Sequence, residues 1–66
     1  MNVILNGTPQ PCTDGCTVAQ LLESSGFAQR RVAVEVNLRV IPRSRHAMEI
    51  LRDGDRVEIV HAIGGG

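Results

Sequence analysis

The chain has 66 residues, which at about 100 to 200 residues per domain leaves room for one small domain and none for a large catalytic cleft. With 42% hydrophobic and 21% charged residues the composition is globular. Seven arginines balance seven acidic residues and Phe27 is the sole aromatic, so a polyanion finds neither a net attracting field nor a stacking platform, and no nucleic-acid or membrane partner is expected.

Val3-Ile4-Leu5, bounded by Asn2 and the turn-forming Asn6-Gly7-Thr8-Pro9, predicts a first strand and a hairpin, with Gln10 to Cys12 pairing back. Thr17-Val18-Ala19-Gln20 has the form of a capping box, so a helix is expected from about Val18 to Ser25. Val18, Leu21 and Leu22 share its apolar face, Gly26 supplies the left-handed residue that ends it, and Phe27 can fold back onto that face. Val32-Ala33-Val34-Glu35-Val36-Asn37 alternates with period two and gives the clearest strand. Asn37-Leu38-Arg39 can turn tightly, because Asn tolerates positive φ, and Val40-Ile41 forms a short strand ended by Pro42. Arg43 to Leu51 carries no decisive pattern. The Asp53-Gly54-Asp55 turn then leads to a last strand, Arg56-Val57-Glu58-Ile59-Val60.

One sheet and one helix with a single apolar stripe have to bury those faces against each other. The expected class is therefore α+β, a ubiquitin-like β-grasp with a mixed sheet of four or five strands on one main helix. Val3, Leu5, Leu21, Leu22, Val34, Val36, Val57 and Ile59 are its expected core. The N-terminus shows neither a basic leader nor a long apolar run, so a cytoplasmic protein is expected, with Cys12 and Cys16 as free thiols.

The residues that suggest chemistry are Gly64, Gly65 and Gly66. Glycines have no side chain to bury and lose the most backbone entropy on ordering, so they do not stabilise a domain. They can pass through a channel too narrow for any Cβ, and a terminal glycine leaves its carboxylate open to attack. A fortuitous or appended end accounts for such a run equally well on its own. Other candidates carry less. Cys16 stands at a helix start, where amide dipoles can favour a thiolate, but a small hydrophobe at Cys12 and an incidental loop residue at Cys16 are the simpler readings. His46 and His61 lie too far from the cysteines in sequence to form a metal motif, and surface or rim positions are expected for both. Arg30, Arg31, Arg39, Arg43 and Arg45 face only Glu35 in their stretch, a cluster read as a solvated face rather than a docking site.

The order of elements and several motifs resemble the ThiS family of bacterial thiamine-biosynthesis sulfur carriers over nearly the whole chain. The matching runs are Leu5-Asn6-Gly7, Gly15-Cys16-Thr17-Val18 with Leu21-Leu22, Val34-Glu35-Val36-Asn37, Val40-Ile41-Pro42-Arg43, and Asp53 through Val60 leading to the Gly-Gly end. The resemblance implies a carrier and not an enzyme, with residues 1–63 as the domain and 64–66 as a flexible tail. Gly66 would be adenylated and then converted to a thiocarboxylate, Gly64 and Gly65 would thread a partner's active site, and Ile63 would contact the partner. No catalytic residue, bound cofactor or metal is implied; ATP and Mg²⁺ belong to the activating partner. The implied partners are an E1-like adenylyltransferase, thiazole synthase, and a cysteine desulfurase whose persulfide supplies sulfur, with the carrier a monomer when free. A molybdopterin-synthase small subunit, a β-grasp binding module without sulfur chemistry and a small thiol enzyme remain alternatives. Length and the single Phe weigh against the first, and neutral charge against an RNA-binding form of the second.

Overall fold

The structure, a computed structural model, describes residues 1–61; Ile63 and Gly64, Gly65 and Gly66 lie outside the described residues. The elements run β1 (Asn2–Leu5), β2 (Thr8–Pro11), α1 (Val18–Ser24), β3 (Val32–Val36), β4 (Arg39–Ile41), a 3₁₀ turn (Arg43–Arg45) and β5 (Arg56–His61). The five strands form one mixed sheet in the order β2-β1-β5-β3-β4, with β1 and β5 parallel and the other pairs antiparallel. This is the β-grasp arrangement expected from the element order, and it sets the last strand in the middle.

Local chemistry explains most boundaries. Asn6 and Gly7, with φ of 49° and 84°, make a two-residue turn, so β2 begins at Thr8, earlier than the Gln10 expected from the sequence. Both halves of the capping box form: the Gln20 amide donates to Thr17 Oγ1 at 3.2 Å, and the Thr17 amide donates to Gln20 Oε1 at 2.9 Å. Gly26, at φ 85°, closes the helix with two backbone bonds, Gly26 to Glu23 and Phe27 to Leu22.

The segment between Pro42 and Leu51, which the sequence leaves undecided, serves the helix. Its carbonyls of Glu49 and His46 accept the first two helical amides, of Val18 and Ala19, each at 2.9 Å. Those amides have no intrahelical acceptor and are costly to bury unpaired. Val18, Leu21 and Leu22 pack on one face of the sheet against Val3, Val34, Val36, Ile41, Val57 and Ile59, and Leu51 and Cys16 complete the core. Leu5 and Phe27 pack at its margin.

Two expectations need correction. Cys16 is not an incidental loop residue: it is only 4% exposed, because the Leu51 amide bonds its carbonyl and draws it under the segment. His46 is only 8% exposed rather than at the surface. Its Nε2 lies 3.0 Å from the Ile41 carbonyl, and a carbonyl only accepts, so Nε2 carries the proton.

Candidate functional site

β5 is the strand that leads to the terminal glycines, and the fold fixes it from both sides. β3 pairs with it along five residues, from Val32↔His61 to Val36↔Val57. On the other side the parallel contact with β1 is short, Ile4↔Arg56 and Leu5↔Val57, and is extended by a side chain. Asn6 Oδ1 accepts the Ile59 amide at 2.8 Å while Asn6 Nδ2 donates to the Ile59 carbonyl at 3.3 Å. The side-chain amide thus replaces a strand residue where β1 has already turned away.

A second asparagine does the same work at the start of β5. Asn37 Oδ1 accepts the Arg56 amide at 3.0 Å, its Nδ2 donates to Asp55 Oδ1 at 3.0 Å, and its own amide donates to the Arg56 carbonyl at 2.8 Å. The Asp53-Gly54-Asp55 turn is tied in turn: Asp55 Oδ2 accepts the Arg52 amide and Asp53 Oδ1 accepts the Asn2 amide. The sequence marks Asn6 and Asn37 as turn formers, but their long-range role became visible only with the sheet order.

At the far end of β5 the His61 ring meets Phe27, centroids 5.9 Å apart and planes at 56°. A cavity of about 290 Å³ opens beside this contact, lined by Leu22, Phe27, Val32, His46 and the guanidinium-bearing Arg30 and Arg43. The arginine run is therefore divided: Arg30 and Arg43 converge on this cavity, while Arg39 lies 3.7 Å from Glu49. Burial, and the neighbouring Cys12 in second place, push the pKa of Cys16 up, opposite to the effect expected from a helix start.

Among the described residues no group of three or more His, Cys, Asp or Glu side chains could hold a metal ion. The sequence of residues 3–66, which takes in all of the sheet but Asn2 and includes Gly64, Gly65 and Gly66, matches the model of the ThiS family. The chain belongs to the ThiS family. Sulfur carrier protein ThiS of Escherichia coli is 33% identical over the full length of both chains. The crystal structure of the thiamine biosynthesis protein ThiS from Geobacter metallireducens superposes with a TM-score of 0.87 at 35% identity, each chain fully covered. The thiazole synthase of Magnetococcus marinus is 42% identical over 66 residues, but the chain spans about a fifth, 20%, of that protein's length. The ThiS-family fold thus matches the architecture expected from the sequence.

Proposed function

We propose that the chain is a sulfur carrier for thiazole formation in thiamine biosynthesis and that Gly66 bears the sulfur. The observation that carries this reading is the family match over residues 3–66, from within β1 to Gly66, on a fold that holds the strand before the glycines at the centre of its sheet. A carboxylate is a poor electrophile. An E1-like adenylyltransferase, with ATP and Mg²⁺, joins the Gly66 carboxylate to AMP and releases pyrophosphate. The terminal sulfur of a persulfide, formed by a cysteine desulfurase, then displaces AMP, and cleavage of the resulting S–S bond by a thiol leaves the thiocarboxylate. Thiazole synthase takes the sulfur from it. The carrier supplies no acid or base; Gly64 and Gly65 offer backbone without Cβ atoms to a narrow channel, and Ile63 abuts its mouth.

Intact mass after incubation of the chain with the activating enzyme, ATP and a sulfur source tests this directly. Gly66 should exchange one oxygen for one sulfur. Gly65→Val should block loading without changing the urea midpoint, since a β-branched side chain obstructs a channel sized for backbone. One residue added after Gly66 should abolish loading as well. Normal loading of either variant would remove the terminal glycines from the reaction.

A further inference from the structure

The face of the sheet turned away from α1 is not the polar face that a half-solvated sheet normally presents to water. Register places Ala33 opposite Val60, Glu35 opposite Glu58 on one side and opposite Val40 on the other, and Ile4 beside Arg56. Val40 and Val60 are 68% and 57% exposed. Between these aliphatic groups Glu35 and Glu58 stand side by side on neighbouring strands, where directly opposed residues have Cβ atoms only about 4.5–5.5 Å apart. Among the described residues neither carboxylate has an ion-pair or hydrogen-bond partner. Opposed like charges destabilise a sheet, so a neutral residue at either position would serve the isolated fold better.

A cation changes the sign of that arrangement. A guanidinium carries five donors in a planar fork and can bridge two carboxylates at once, and aliphatic flanks keep water from the contact and strengthen it. The face also runs into β5 at Val60, immediately before His61 and the segment that leads to Gly66. Val60 and Glu58 lie six and eight residues before Gly66, so this face is close along the chain to the group an enzyme would work on. A second copy docked face to face about an axis through the pair would instead bring four carboxylates together.

We propose that this open face docks on thiazole synthase, with an arginine of that enzyme held between Glu35 and Glu58 and aliphatic side chains seated against Val40, Ala33 and Val60. The inference rests on the sulfur-carrier reading. The choice of partner is supported by two thiazole synthases, of Magnetococcus marinus and Paramagnetospirillum magneticum, in which a stretch 42% identical to this whole chain makes up 20% of the protein, so the two units share one polypeptide there.

Calorimetric titration of the unloaded chain with its thiazole synthase, at low and high salt, is the test. The double variant Glu35→Gln, Glu58→Gln should bind at least about tenfold more weakly and lose most of the salt dependence. Its urea midpoint should equal or exceed that of the unchanged chain, which separates lost docking from lost folding. Val60→Ser, which keeps both carboxylates, should weaken binding but keep the salt dependence. A loss smaller than tenfold in the double variant overturns the proposal, as does sedimentation of the free chain as a dimer that the double variant converts to monomer. Sulfur loading of Gly66, followed by mass, distinguishes the levels: loading with undiminished docking of the double variant rejects the docking face alone. Failure of the unchanged chain to load rejects the carrier reading and this inference with it.

Discussion

The two faces of the sheet are built from the same five strands, alternate residues going to alternate sides, yet they obey different rules. On the helix side Val3, Val34, Val36, Val57 and Ile59 are buried against α1 and contribute through excluded water and close packing. On the open side valines stay exposed and two glutamates oppose each other. The comparison teaches that stability and recognition have been assigned to opposite sides of one layer. A residue's effect when changed should follow its side rather than its position along the strand.

Leu21→Ala, on the covered side, breaks this comparison most severely: it should cost about 2–5 kcal/mol in urea unfolding, enough to approach the whole stability of so small a domain. Asn6→Ala leaves the Ile59 amide without its acceptor and should cost about 1–3 kcal/mol, with accelerated exchange of that amide as the specific sign. Thr17→Ala removes half of the capping box and should cost about 1 kcal/mol, read from the same urea midpoint. Leu38 is 87% exposed with φ at 69°, so Leu38→Gly should stabilise by up to about 1 kcal/mol by relieving left-handed strain. Val40→Ser, on the open side, should stay within about 0.5 kcal/mol in the same assay. A Val40→Ser cost comparable to that of Leu21→Ala would show that the open side also carries the fold, and the division between faces would fail.

Much of the covered side was legible in sequence because its signals are local. The valines of β3 alternate, Thr17 and Gln20 stand at capping-box spacing, and Gly26 follows the last helical turn, each readable within a few residues. The burial of Cys16 and His46 was not legible. It depends on the aperiodic stretch from Pro42 to Leu51 folding back onto the first turn of α1, which no local pattern encodes. The clamp by Asn6 was hidden for the same reason, since Ile59 lies 53 residues away along the chain. At the candidate site the position was clearer than the environment: Gly64, Gly65 and Gly66 stand out in sequence, while the anchoring of β5 by two asparagines required knowledge of its neighbours. Leu38 shows a rule overridden, since a turn read from Asn37 alone also forces its bulky successor to positive φ.

The parallel alignment of β1 and β5 has a mechanical consequence. In the proposed reaction, an enzyme that draws on the glycine end would load β5, the strand that leads to it. The hydrogen bonds to β3 and β1, and the pair made by Asn6, lie across that strand. They are loaded together in shear instead of being opened one at a time as in a peeled hairpin. Tension on the terminus would thus be shared by the centre of the sheet rather than unravelling the domain from the end that is pulled.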